Sequence, residues 1–151
     1  MPEAWRIVRE NLLASAFTGQ GAAKFGGRWN SRGVAIVYTS ATRSLAALEM
    51  LVHLNLPEFF RYRIIRLEFS EALVDRMAVV KLPRNWREEP PPPTCQRIGD
   101  LWVKQARSAV LALPSVIIPE EINYMLNPAH RDFKKINIGK PADFRFDARL
   151  L

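Results

Sequence analysis

Gly26-Gly27-Arg28-Trp29-Asn30-Ser31-Arg32-Gly33 leads into Val34-Ala35-Ile36-Val37-Tyr38, and an apolar segment with one acid, Glu49, follows at 44–54. The stretch reads as a glycine-rich turn, a short strand ending on a tyrosine, and a helix. The turn offers backbone N–H groups and two arginines, a combination suited to phosphate. The strand is read from its β-branched content. Ser40 or Thr42 is placed to cap the helix by accepting a backbone N–H of its first turn. Leu45, Leu48, Glu49 and Val52 then fall at relative positions 0, 3, 4 and 7, the spacing of a buried helix face. Glu49 thus sits in a row of core residues and is the only carboxylate between Arg43 and Glu58. A carboxylate there needs a cation, a hydrogen-bond donor or a ligand, because burying it bare costs too much. A structural Glu–Arg pair meets that need as well as a ligand does.

Before this stretch, Trp5-Arg6-Ile7-Val8 alternates as a first strand, while 11–25 lacks a clear period and is expected to be mostly loop with a turn of helix. After it, Pro57 ends the helical region. Residues 61–69 set Arg61, Arg63 and Arg66 against Tyr62, Ile64 and Leu67, with one slip at Ile65, and predict a strand with one wet face. Residues 84–94 hold Glu88-Glu89-Pro90-Pro91-Pro92-Pro93 and predict a stiff surface loop. Helical spacing returns over 98–109. Strand-like runs at 110–113 and 115–118 are broken by Pro114, and Asn127-Pro128 marks a turn within 123–130. Residues 133–138 and 143–151 close with strand-like alternation. The sum is an α+β chain, strand-rich, with one or two packed helices in a single domain over 1–151.

Composition narrows the class. The chain has 151 residues, 48% apolar and 25% charged, enough for a real core and unlike a disordered segment. No apolar run approaches the roughly 20 residues that span a bilayer. The opening Met-Pro-Glu-Ala-Trp-Arg lacks a basic segment followed by an apolar one, so no secretory signal is expected. Cys95 is the only cysteine, which makes the cytoplasm the expected compartment. The net charge of +7 suits an anionic partner, yet the basic residues are dispersed rather than interleaved with aromatics, so direct nucleic-acid binding is not expected. His53 and His130 are the only histidines, and no metal-ligand spacing exists. No dinucleotide-fold or P-loop glycine signature is present. His53, four residues after Glu49, reads as packing, and Ser115 has no base beside it in the sequence.

Trp-Arg near the start, Gly26-Gly27-Arg28-Trp29-Asn30, Val37-Tyr38-Thr39-Ser40, Leu45-Ala46-Ala47-Leu48-Glu49, Val52-His53, Pro114-Ser115, and Asn123-Tyr124 to Asn127-Pro128 together resemble the RES-domain toxins. These are the toxin halves of bacterial toxin–antitoxin pairs whose antitoxins are Xre-like. The resemblance implies an ADP-ribosyltransferase-like fold, a split, mostly antiparallel β core with flanking helices around an NAD cleft. It implies an enzyme that degrades NAD+ by hydrolysis or phosphorolysis, with NAD+ as substrate and no prosthetic group. A cognate antitoxin is the implied partner. Carried over by position, Arg6 and Arg28 are the cleft arginines, either of which can be the one the family is named for. Tyr38 stacks on a ring, Glu49 is the catalytic acid, Ser115 is the family's serine, and Trp29 adjoins the cofactor-type ligand.

Two other activities fit parts of the same reading. One keeps the fold and transfers ADP-ribose to a protein target. The other, suggested by charge alone, is a basic RNA-binding or RNA-cleaving toxin. A non-catalytic interaction domain is a third, in which Glu49 pairs with a structural arginine.

Overall fold

The computed structural model describes residues 1–53 and 61–150. Among the described residues eight strands form one sheet: β1 (Glu3–Arg9), β2 (Val37–Ser40), β3 (Tyr62–Glu68), β4 (Val74–Arg76), β5 (Val110–Pro114), β6 (Ile122–Leu126), β7 (Asn137–Ile138) and β8 (Ala142–Phe144). Their order is β4-β5-β6-β2-β1-β3-β7, with β8 also pairing with β3. All the pairings described are antiparallel except β4 with β5. Among the described residues three α-helices accompany the sheet: α1 (Gln20–Phe25), α2 (Arg43–Leu51) and α3 (Pro93–Gln105). This is the expected α+β class with a mostly antiparallel core, and the split is visible in it. β1 and β2 pair only through Trp5 and Ser40, whereas β1 pairs with β3 along its whole length.

Residues opposite one another across a ladder share a sheet face. Tyr38 faces Met125, Ser40 faces Asn123, Leu113 faces Asn123 and Trp5 faces Ser40. One side of the sheet is therefore covered in two blocks. Leu111, Leu113 and Met125 pack with Trp29, Trp86 and Trp102 beneath α3. Trp5, Ile7, Tyr62 and Ile64 pack with Ala46 of α2 and Phe146. Tyr38, Ser40 and Asn123 lie on the strands between these blocks. The other side buries Ala4, Val37, Leu67, Tyr124 and Leu126 with Phe69 and Ile136.

Several expectations are corrected. The strand predicted over 34–38 begins at Val37 and runs on to Ser40, because the Val34 carbonyl is taken by the Asn30 side chain (3.0 Å) instead of by a neighbouring strand. Residues 11–25 hold more helix than expected, a 3-10 turn at Glu10–Ser15 and then α1, bounded by Gly19 and Gly26 at φ of 74° and 73°. Of the two cap candidates Thr42 caps α2, its hydroxyl accepting from Leu45 N at 3.1 Å. Within the described residues α2 ends at Leu51. Val52 is 60% exposed and His53 is exposed, so neither packs on the core row. Residue 54, the expected end of that helix, and Pro57 lie outside the described residues, as does Leu151.

β3 has no single wet face. Ile64 packs with Trp5 and Ala46 while Ile65 packs with Val8 and Ala16 on the other side. The slip at Ile65 is the mark of burial on both faces. Residues 115–118 form a turn rather than a strand, since the Ser115 hydroxyl accepts from Ile117 N and Ile118 N at 3.1 and 3.2 Å. The strand β6 lies where only a turn was expected; the turn comes after it, at Asn127, whose Oδ1 accepts from Ala129 N. The polar Asn123 within it and the Asn127-Pro128 turn signal just after it hid its strand character, and pairing on both sides decides it.

Candidate active site

Glu49 projects from α2 toward β6 and the turn after β5. The Ser115 hydroxyl donates to its Oε1 at 2.7 Å and Asn123 Nδ2 donates to the same oxygen at 2.8 Å. Among the described residues no hydrogen bond reaches Oε2. Asn123 is itself fixed, because Ser40 donates to its Oδ1 at 2.7 Å. Ser115 accepts two backbone N–H groups, so its proton is directed at the carboxylate. Ser115, Asn123 and Ser40 are all buried and Glu49 is half-buried. The requirement set by helix spacing is thus met by two neutral donors. Among the described residues no arginine pairs with Glu49, so the structural Glu–Arg pair is not found. The helix bearing it is pinned at its start, where the Arg43 guanidinium lies 4.0 Å over the Trp5 ring.

Tyr38 stands two residues before Ser40 on the same face, roughly 7 Å along the strand. Its hydroxyl donates to Asn30 Oδ1 at 2.5 Å and accepts from Trp29 N at 3.1 Å. Burial pushes this hydroxyl well above the usual phenol range, so it stays protonated. Asn30 is fully buried, and its Nδ2 donates to the carbonyls of Ala22, Ser31 and Val34. One amide therefore shapes the glycine turn. Gly27 is required beside it: a Cβ there would lie 2.7 Å from Tyr38 Oη and 2.8 Å from Asn30 Oδ1. α3 locks the turn from outside. Asp100 accepts from Ser31 N and Oγ at 2.9 and 2.5 Å, and Gln96 donates to the Gly27 carbonyl. Gly99 lets the helix touch the turn's backbone, since a Cβ at this position would fall 1.7 Å from the Trp29 carbonyl oxygen.

The arginines are placed differently from one another. Arg6 lies where β1 and β2 part and, being opposite Ile65, faces the side of the sheet away from Tyr38, Ser40 and Asn123. Its Nε donates to the Ala16 carbonyl at 2.7 Å and its Nη1 to the Tyr38 carbonyl at 2.9 Å. Among the described residues it has no carboxylate partner, and desolvation pulls its pKa down to about 10. It remains a cation at neutral pH, held by two carbonyls and uncompensated by a charge. Arg28, on the turn, is bound to the proline-rich loop through the Trp86 and Glu88 carbonyls and the Glu89 carboxylate. Trp29 is 2% exposed and stacks on Trp86 with ring centroids 6.4 Å apart. Its side chain belongs to the core, and it serves the site through the N–H it gives Tyr38.

Sequence reading missed Asn30, Ser40, Asn123 and Asp100. The signal for Asn30 was present, an amide inside a glycine turn. Asn123 and Ser40 lay in segments that carry the resemblance but gave no sign of a role at the acid, because that role comes from a register pairing across 83 residues. Two cavities, of about 400 and 250 Å³, adjoin β4 and α3 and are lined by none of these site residues. Among the described residues no group of three or more His, Cys, Asp or Glu side chains is placed to hold a metal ion, and no helix is long and apolar enough to cross a membrane.

A mostly antiparallel sheet with flanking helices, carrying one half-buried acid held by two neutral donors, makes this an α+β protein with a candidate active site at Glu49. The RES domain family model matches residues 3–147, and the chain belongs to that family. It is 37% identical over 148 residues to "Toxin Res" of Yersinia enterocolitica, covering 97% of both chains. It is 39% identical over 155 residues to the "Prs ADP-ribosylating toxin" of a Sphingobium species, covering 97% of this chain and 95% of that one. Among solved structures its fold is similar to the M. tuberculosis MbcT–MbcA toxin–antitoxin complex. There the TM-score is 0.75 at 14% identity, with 95% of this chain and 84% of that chain covered.

Proposed function

We propose that this chain is the toxin of a toxin–antitoxin pair and acts by cleaving the nicotinamide–ribose bond of NAD+. The observation that carries the reading is the state of Glu49. One carboxylate oxygen is saturated by Ser115 and Asn123, while the other receives no hydrogen bond among the described residues. Such a group is held still and has one oxygen available for a ribose hydroxyl.

The chemistry follows from charge. When the bond between ribose C1′ and the pyridinium nitrogen breaks, its electron pair moves to the ring, which leaves neutral. Positive charge is left on the ribose. A preorganised carboxylate stabilises that charge most where water is excluded. Glu49 takes this role; Ser115 and Asn123 orient it, and no nucleophile is assigned to Ser115. Arg6 and Arg28 hold the phosphate-bearing part of the substrate and fix the bond's orientation. Arg6 projects toward Ala16, on the sheet face away from Glu49, and would reach the substrate only through the gap where β1 and β2 part; a guanidinium without a counter-charge there is suited to an anion. Tyr38 offers its ring face to nicotinamide while its hydroxyl stays tied to the turn. Water or inorganic phosphate then bonds to C1′, giving ADP-ribose or its 1″-phosphate and releasing a proton.

NAD+ consumption by purified protein, with and without phosphate, tests this; wild-type protein that leaves NAD+ intact sinks it. A second reading keeps the first step and makes a protein side chain the acceptor. The name of the Sphingobium relative favours it. Labelled NAD+ in a lysate separates the two, since label on a protein band means transfer. The neutralising partner is expected to be an Xre-like antitoxin, and the site of action the cytoplasm.

A further inference from the structure

Among the described residues every hydrogen bond of the Arg28 guanidinium goes to the loop at 86–89. Nη1 donates to the carbonyls of Trp86 and Glu88 at 3.0 and 2.7 Å, and Nη2 lies 2.5 Å from Glu89 Oε2. These contacts differ in kind. The carbonyls are backbone, and Trp86 is buried and stacked on Trp29, so they are fixtures of the fold. The Glu89 side chain is 72% exposed and makes, among the described residues, no other hydrogen bond or ion pair. The Arg28 side chain is largely buried. An exposed carboxylate on a fixed, largely buried guanidinium presents the negative charge that one oxygen of a phosphate would bring.

We propose that Glu89 stands in for a substrate phosphate on Arg28 and is displaced when a phosphate-bearing dinucleotide enters, so that this residue sets the affinity for the anionic substrate. The proposal rests on the NAD+ reading above for the identity of the ligand, and on this contact alone for the competition. Exposed ion pairs are weak, so the carboxylate can swing into solvent at little cost. A phosphate brings more charge and can be gripped by two donors. With Glu89 gone, the two carbonyls still aim Arg28. A ligand without phosphate has no use for Arg28 and is indifferent to Glu89.

The test compares Glu89→Gln with wild type. KM for NAD+ is expected to fall roughly two- to fivefold with kcat unchanged, the range that an exposed pair supports. Affinity for inorganic pyrophosphate, read by calorimetry, should rise by a similar factor, and nicotinamide riboside binding should not move. Glu71→Gln removes the same charge from a carboxylate that pairs with Arg76 instead, and it should leave both constants as they were. An unchanged KM and pyrophosphate affinity in Glu89→Gln, or an equal shift in Glu71→Gln, overturns the proposal. The pyrophosphate measurement separates the two ideas. Tighter pyrophosphate binding without NAD+ turnover keeps the competition and rejects the NAD+ reading; turnover with no pyrophosphate difference does the reverse.

Discussion

The Glu49 carboxylate accepts the Ser115 hydroxyl at 2.7 Å across 66 residues of chain. One partner comes from the buried side of a short helix and the other from the first turn after a fully buried strand. Their meeting makes a fixed acid out of two residues that read separately as a misplaced charge and a turn serine.

Glu49→Gln keeps the shape and removes the charge. NAD+ turnover is expected to fall by about 10²–10³, the usual worth of one preorganised electrostatic group. Thermal stability should change little, because the acceptor oxygen remains for Ser115 and Asn123. Undiminished turnover would refute the assignment of the acid.

Asn123→Ala removes one of the two donors that hold the carboxylate and leaves Ser40 without its acceptor. A hydrogen bond to a charged group is worth about 1.5–3 kcal/mol. kcat should therefore drop about ten- to a hundredfold, with a smaller change in KM. Equal loss in both constants, or none, would argue against an orienting role. Steady-state kinetics at several NAD+ concentrations supply the split.

The three glycines near the turn should separate cleanly in melting experiments. Gly27→Ala pushes a methyl group against Tyr38 and Asn30 and is expected to cost about 1–3 kcal/mol, as overpacking does. Gly99→Ala meets backbone at 1.7 Å and should prevent α3 from docking. Gly21→Ala, within α1 and with nothing within 4 Å of the added Cβ, should be neutral or stabilise by up to about 1 kcal/mol.

Arg6 is a base whose pKa is pulled down by burial to about 10. It is charged below that pH and loses its proton, and its hold on an anion, as pH rises through it. Activity that depends on this cation should persist to about pH 9 and decline beyond pH 10. Arg6→Lys places a more easily deprotonated group in the same dry position. Its alkaline limb should move down by about one pH unit or more, which a pH profile of kcat/KM would reveal. A profile unmoved by the substitution would remove Arg6 from the site.

Much of the site was legible before any fold was known. The helix spacing of Leu45 and Glu49 announced an acid on a buried face, and it is half-buried and hydrogen-bonded. Gly26-Gly27-Arg28 announced a glycine turn offering N–H groups to phosphate; the turn is there, but the N–H groups of Gly27, Trp29 and Ser31 are taken by Asn30, Tyr38 and Asp100. The row failed at Val52, because the described helix ends at Leu51. Trp29, expected beside a ligand, is spent on the core. No local pattern distinguishes an aromatic that stacks on a substrate from one that stacks on Trp86.

Sequence alone determined the α+β class, an acid on a helix's core-facing row and a glycine turn that carries an arginine, while the resemblance to the RES-domain toxins singled out Arg6, Tyr38 and Ser115. The former depend on residue type and on spacing within one element, where the period of a helix or the freedom of a glycine acts directly. Tertiary structure alone decided which groups meet. Asn123 reaches Glu49 because β6 pairs with β2 in a register that sets it opposite Ser40. Arg28 is occupied because a distant proline-rich loop lies across it, and Arg6 is left without a counter-charge because two strands part beside it. Hydrogen bonds and desolvation act through space over a few ångströms, and only the folded sheet sets those distances.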